Sequence, residues 1–361
     1  MKSIYVLYTG GTIGSAGDPL APMSTAQFRA LVNQMPGLSD GLVQGEQIRY
    51  VIDGTPQPLD SSNMTPSDWV AIAQQLAGVY ADYDGFVVLH GTDTMGYTAS
   101  ALSFLFQGLD KTVVITGSQL PLSYTVNDAL ANLSGALVMA AKTGIPEVTL
   151  YFDFLLFRGN RAVKVNANAV HAFDSPNFPA LAALGTQLTV QTALALPPPP
   201  AAQALSSPGR LQALKEQLQR FSAAVTEFSV PIMSLYPGIN ASTVEAIVNG
   251  TRPPVSGLVL LAFGAGNGPS NPAFLGALSR ANAGGVVLMD NTQVLAGTVS
   301  IDAYATGEGL AKAGAISAYD MTPEASLAKL IYLRAQGLAP AEIKVQMVSD
   351  LRGEITLESQ P

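Results

Sequence analysis

A rhythm in the chain constrains its fold more than any other feature. Short apolar runs ending in glycine, "IYVLYTGG" (Ile4 to Gly11), "GFVVLHG" (Gly85 to Gly91) and "KTVVITG" (Lys111 to Gly117), are separated by stretches of helical length. Strands that alternate with helices make parallel βαβ units. Strands apolar at every position, rather than at every second one, are buried on both faces. Between them, "TPSDWVAIAQQLAGVYADY" opens with Thr65 as N-cap, Pro66 at the first helical position and Asp68 three residues on, a good helix start. "YTASALSFLFQGL" and "VNDALANLSGALVMAAK" read as further helices, and "EVTLYF" as another strand.

The second half repeats the pattern on a smaller scale. "VPIMSLY", "GLVLLAFG" and "GGVVLMD" read as strands, and the helices "TPEASLAKLIYLRAQG" and "APAEIKVQMVSD" come near the end. Between the halves lies "LALPPPPAAQALSSPGR" (Leu194 to Arg210), whose four consecutive prolines fit neither a helix nor a central strand. The expected organisation is therefore α/β. A larger N-terminal, doubly wound, mostly parallel domain covers residues 1–195. A proline-rich linker with an amphipathic helix spans 196–229, and a smaller C-terminal α/β domain covers 230–361. In the linker helix Leu211, Leu214, Leu218, Phe221, Val225 and Phe228 keep a three-four spacing that suits packing on a neighbouring domain, or a subunit contact.

Composition excludes several function classes. The 361 residues are 48% hydrophobic and 12% charged, with a net charge of -8, which opposes nucleic-acid and anionic-membrane surfaces. There is no cysteine, so thiol catalysis, disulfides and thiolate metal sites are out. The apolar run after Lys2 is shorter than the ~7–15 residues of a signal-peptide core, and no segment approaches the ~20 apolar residues of a membrane helix. A cytoplasmic protein without membrane attachment is expected.

Candidate chemistry sits at two strand ends. "TGGTIG" (Thr9 to Gly14) has the glycines of a phosphate loop but lacks the lysine of G-x-x-x-x-G-K-[ST]. "HGTDT" (His90 to Thr94) repeats glycine followed by threonine. In open α/β sheets ligands bind beyond the carboxyl ends of strands, where Thr12 and Thr92 both fall. Only His90 and His171 are present, far apart and without H-E-x-x-H spacing, so no metal is expected. His90, ending a buried strand, reads as a hydrogen-bonded core residue. No G-x-S-x-G elbow supports a serine triad. Hydroxyl chemistry remains, and it needs a base to take the threonine proton. "RGNRAVKVNANAVHAF" offers Lys164 for that role, or an ordinary solvated lysine.

With those residues in view, the chain resembles the type I, cytoplasmic branch of the bacterial L-asparaginases. The blocks "YTGGTIG", "LDSSNMTPSDW", "FVVLHGTDTMGYTASALSF", "VVITGSQLPL", "RGNRAVKVNANAVHAFDSPNFP", "FGAGNGP", "YATGEGL" and "DLRGEIT" follow in family order through nearly all of it, the linker apart. The resemblance implies a threonine amidohydrolase without metal or cofactor, acting on L-asparagine as a dimer or tetramer. Thr12 would be the nucleophile, with Thr92 the alternative. Lys164 would draw the proton from Thr92, and Asp93 would grip the substrate α-ammonium. Ser61 and Ser62 would receive the α-carboxylate, the backbone around Gly11, Thr12 and Thr92 the oxyanion, and Gly91 would lie against the substrate. A glutaminase-asparaginase, an amidotransferase subunit and an asparagine sensor without turnover are the competing readings.

The chain departs from the family pattern in the loop "SAGDPLAPMSTAQF". It carries Leu20 about where a tyrosine is expected, so a polarising hydroxyl would have to come from elsewhere, such as Tyr124. The loop's glycines and prolines suit a closing lid. Pro269 stands where the periplasmic branch has an asparagine, and "AGTVSIDAYATG" holds no glutamate, as in type I. Val163 and Val294 occupy places that some type I enzymes use for a regulatory asparagine site, which argues against that regulation.

Overall fold

The computed structural model describes residues 1–301 and 305–357; residues 302–304, inside "AGTVSIDAYATG", and 358–361 lie outside the described part. The three glycine-ended runs are strands, Lys2–Gly10, Gly85–Leu89 and Val113–Thr116, and Val148–Phe152 is a fourth. All pair in parallel, and the three after the first are buried along their whole length. Their apolar continuity is thus explained by helices covering both faces.

The nine-stranded sheet runs in the order Leu188–Val190, Ala182–Leu184, Leu155–Arg158, Val148–Phe152, Val113–Thr116, Gly85–Leu89, Lys2–Gly10, Ile48–Leu59, Leu42–Val43. From Lys2–Gly10 the chain moves first to Ile48–Leu59 on one side and then to Gly85–Leu89 on the other. Strand order therefore reverses between Lys2–Gly10 and Gly85–Leu89, the position where open α/β sheets hold their ligands. The helix Pro66–Val79 starts as its sequence predicts, the Asp68 carboxylate taking the Thr65 N–H at 2.8 Å and its hydroxyl at 2.6 Å.

The antiparallel edge is new relative to the sequence reading. Asp153 and Phe154 have φ of 46° and 65°, the pair of left-handed residues of a tight hairpin turn, joining Val148–Phe152 to Leu155–Arg158. Neither residue is a typical glycine or asparagine marker, so the hairpin is silent in the sequence.

The chain divides into two compact units, Met1–Leu218 and the remainder from Gln219. The prolines 197–200 are irregular, as expected, but this segment belongs to the first unit. Glu147, buried and ion-paired with Arg158 at 2.6 Å, accepts the Leu196 N–H at 2.6 Å, while Arg158 donates to the Leu194 carbonyl. Leu205 is buried and its N–H reaches the Gly108 carbonyl. The boundary falls inside the helix Arg210–Ala224. Leu214, Leu218 and Phe221 of that helix are buried within this chain, which favours packing over a subunit contact as the reason for its spacing.

The second unit carries a four-stranded parallel sheet, Ile232–Ser234, Gly257–Ala262, Val287–Thr292 and Ala315–Ser317, in that order. The first three were legible as apolar runs, and Ala315–Ser317 is too short and small to stand out. No helix among the described residues is long and apolar enough to cross a membrane.

Candidate active site

The glycines of "TGGTIG" serve close approach. Gly10 and Gly11 have φ of 115° and 81°, and a Cβ on Gly11 would lie 2.4 Å from the Gly91 backbone nitrogen. A Cβ on Gly91 would in turn meet the Ser61 hydroxyl at 2.5 Å. Only glycine permits three loops to touch in this way. Their contact brings Thr12, Thr92 and Ser61 to one cavity at the sheet's reversal point.

The supports beneath are hydroxyls bonded to carbonyls. Thr9 Oγ1 donates to Leu89 O at 2.9 Å, Ser15 Oγ to Gly11 O at 2.9 Å, and Thr94 Oγ1 to Ser61 O at 2.8 Å. His90 is fully buried directly before Gly91. Its Nδ1 lies 2.7 Å from Gly91 O and its Nε2 2.9 Å from Thr98 Oγ1. The carbonyl can only accept, so Nδ1 carries the hydrogen and Nε2 accepts from Thr98. Burial pushes the imidazole pKa down to about 4, and the ring is neutral. As the sequence suggested, it is a satisfied core histidine.

The cavity has a volume of about 270 Å³, below the roughly 300–1,000 Å³ of sites for drug-sized ligands. Gly11, Thr12, Ser61, Gly91, Thr92, Asp93 and Lys164 all line it. Thr92 is buried, and its Oγ1 accepts from Lys164 Nζ at 2.8 Å. Lys164 also donates to Asp93 Oδ1 at 2.7 Å, with the lysine side chain 22% exposed and the aspartate 62%. The lysine is held by backbone. Val163–Lys164 pairs antiparallel with Phe173–Asp174, and Val165 N–H bonds the Ala172 carbonyl. The Thr12 hydroxyl is half-buried and has no hydrogen-bond partner among the described residues.

Two placements refine the sequence expectation. Ser62 is exposed and outside the cavity lining; its N–H donates to Asp60 Oδ1 at 2.9 Å. The Gly11 N–H is engaged by Leu59 O at 3.2 Å, whereas the N–H groups of Thr12 and Thr92 bond no other described residue. Asp60, Ser15 and Gln119 line the cavity and were not singled out from the sequence, although Asp60 lies inside the quoted "LDSSNM" and Gln119 inside "VVITGSQLPL". Two carboxylates and one lysine give the cavity a net negative charge, suited to an ammonium-bearing ligand. Leu20 and Pro22 of the glycine- and proline-rich loop complete the wall. Tyr124 is exposed and is not part of it, and His171 pairs with Asp153 away from it.

Comparison with known proteins identifies the family. The model of the asparaginase N-terminal domain matches residues 3–196, and that of the glutaminase/asparaginase C-terminal domain matches 229–347. L-asparaginase 1 of Escherichia coli K12 is 42% identical over 98% of both chains. The 60 kDa lysophospholipase of Mus musculus is 40% identical, matching 99% of this chain but 63% of its own length. The crystal structure of L-asparaginase I from Vibrio cholerae O1 biovar eltor superposes with a TM-score of 0.83 at 41% identity, covering 99% of each chain.

Proposed function

The chain belongs to the asparaginase family across both of its domains, and on that premise we propose that it is an L-asparagine amidohydrolase. The observation that carries the reading is a lysine ammonium 2.8 Å from a buried threonine hydroxyl, in a small acidic cavity that a second threonine also lines.

In the proposed reaction Thr12 Oγ1 attacks the side-chain amide carbon of asparagine. The C–N bond then breaks, ammonia leaves with the proton, and a β-aspartyl ester on Thr12 remains. Water hydrolyses that ester to aspartate. Lys164 moves the proton at Thr92 Oγ1, which activates the attacking water or serves Thr92 itself as the alternative nucleophile. The N–H groups of Thr12 and Thr92 are the available oxyanion donors. Asp93, joined by Asp60, receives the α-ammonium, and Ser61 the α-carboxylate. No metal or cofactor takes part, so activity should survive exhaustive chelation. The protein is proposed to work in the cytoplasm as a dimer or tetramer without cooperativity, which sedimentation and a hyperbolic rate curve would check.

Ammonia release with saturating L-asparagine and, in parallel, L-glutamine tests the reading. Glutamine is longer by one methylene, a difference worth roughly 1–3 kcal/mol from packing alone, so a slower glutaminase activity is expected. Leu20, which offers no hydroxyl in the lid, favours one second reading, an asparagine-binding protein without turnover. Binding by calorimetry with no ammonia from either amide would establish that reading and overturn the first.

A further inference from the structure

We propose that Gln119 is a positioning residue that sets the direction of the Thr92 proton and ties it to the segment carrying Lys164. The proposal rests on the amidohydrolase reading above.

Gln119 follows the strand Val113–Thr116 and is fixed from its backbone outward. Asp128 takes the N–H of Gln119 on one oxygen and that of Leu120 on the other, both at 2.9 Å. Side-chain Nε2 then donates to two carbonyls of the segment after Lys164, Ala167 O at 3.0 Å and Ala169 O at 3.1 Å. Carbonyls only accept, so both amide hydrogens are committed and the orientation of the amide is determined. Oε1 must therefore face Thr92, whose Oγ1 lies 3.2 Å away.

An amide oxygen cannot donate. The single hydrogen of Thr92 consequently points to Gln119, and its lone pairs accept from Lys164. In the resting site the proton that Lys164 is to draw is directed to Gln119 and not to Lys164. The hydroxyl must rotate, and Lys164 must first give up a proton, before that transfer occurs. Gln119 stabilises the waiting arrangement and keeps Oγ1 at the cavity wall. Its two bonds to residues 167 and 169 also hold an exposed segment against the site. The charged groups around this triad are Lys164, Asp93 and Asp60 at the cavity and Asp128 behind Gln119.

Two substitutions separate proton placement from loop support. Gln119→Met removes the acceptor and both ties. Gln119→Glu keeps an acceptor for Thr92, loses the ties, and adds a negative charge beside the lysine that favours its ammonium form. Gln119→Met frees the hydroxyl to turn toward Lys164 but releases Oγ1 and residues 167–169 from their positions. That loss of positioning is expected to lower kcat about 10- to 100-fold, with a much smaller change in KM. Gln119→Glu is expected to move the ascending limb of the kcat–pH profile upward by about half a unit or more, with activity partly regained at high pH. Direct titration of the Lys164 ammonium by NMR should show the same displacement without requiring turnover. A parent protein that releases no ammonia thus removes the amidohydrolase reading while the proton-placement test still reports. An unmoved lysine titration in Gln119→Glu would overturn the proposal, as would a kcat within about twofold of the parent in Gln119→Met. So would equal losses in both variants that simply follow lowered thermal stability.

Discussion

Lys164 in the first unit and Lys329 in the second are both tied to a carboxylate, yet their surroundings differ. Lys329 and its partner Glu354 are fully buried. Lys329 also donates to the Met347 and Ser349 carbonyls, and Glu354 accepts the Leu351 and Arg352 N–H groups. Apart from Glu354, every partner of Lys329 is a backbone carbonyl, which has no proton to give. Lys164 keeps 22% exposure at a cavity, and one of its two partners is a hydroxyl that can lose a proton. Burial alone therefore does not mark a functional lysine. What sets Lys164 apart is a hydroxyl partner that can give up a proton, beside room for a substrate.

The two lysines should come apart under the same substitution. Lys164→Met is expected to lower kcat about a thousandfold or more while leaving the unfolding transition nearly in place. Lys329→Met strands a buried carboxylate and should cost about 3–5 kcal/mol of stability, with residual activity at permissive temperature. Kinetics and denaturant unfolding on both variants decide the matter. Comparable loss of stability in the two would erase the distinction.

A second contrast lies in two polar groups on strands or at their ends. His90 has both ring nitrogens bonded, and burial pushes its pKa down to about 4. Asp290, on Val287–Thr292, is buried with neither oxygen bonded to a described residue, and burial pushes its pKa up to about 7. Their linkages have opposite signs. Above pH 4 the folded Asp290 still holds a proton that the unfolded chain has released, so its contribution to stability falls as pH rises toward 7. Asp290→Asn should thus be more stable than the parent at pH 8 by a few kcal/mol, about 1.4 per pKa unit, and the gain should shrink below pH 7 and vanish by about pH 4. For His90 the unfolded chain takes up a proton below about pH 6.5 that the folded ring refuses, so stability falls as pH drops toward 4. His90→Gln should flatten that part of the urea-midpoint curve. A slope unchanged in either variant would assign the pH dependence to other groups.

The strand rhythm made the central parallel strands of both sheets legible, because continuous apolar runs have few other uses. Thr12, Thr92 and Lys164 were legible as candidates, and only the family resemblance, not their spacing, implied their meeting. That depends on Gly11 and Gly91 touching, a contact between loops about 80 residues apart that leaves only glycines in the sequence. Gln119 was hidden for another reason. A glutamine after a strand carries no charge or spacing signal, and its role appears only when both ends of its amide are traced. The compact first unit runs on past the prolines to Leu218, and the Glu147–Arg158 pair holds the linker's start through backbone groups, which no side-chain pattern records.

Leu20 offers the gentlest way to sharpen the comparison, since it alters the cavity without touching either lysine. It lines the site from the loop after the first strand, 45% exposed, where the family resemblance leads one to expect a phenol. An aliphatic chain can exclude water but cannot donate a hydrogen bond to a reacting oxygen. Leu20→Tyr should therefore raise kcat by up to about tenfold with little change in stability, a gain confined to the chemical step. Single-turnover rates of ammonia release, compared with those of Leu20→Phe, separate the hydroxyl from the ring. If the phenylalanine variant gains as much, the lid acts through water exclusion and shape, and the proton traffic rests wholly with Thr92, Gln119 and Lys164.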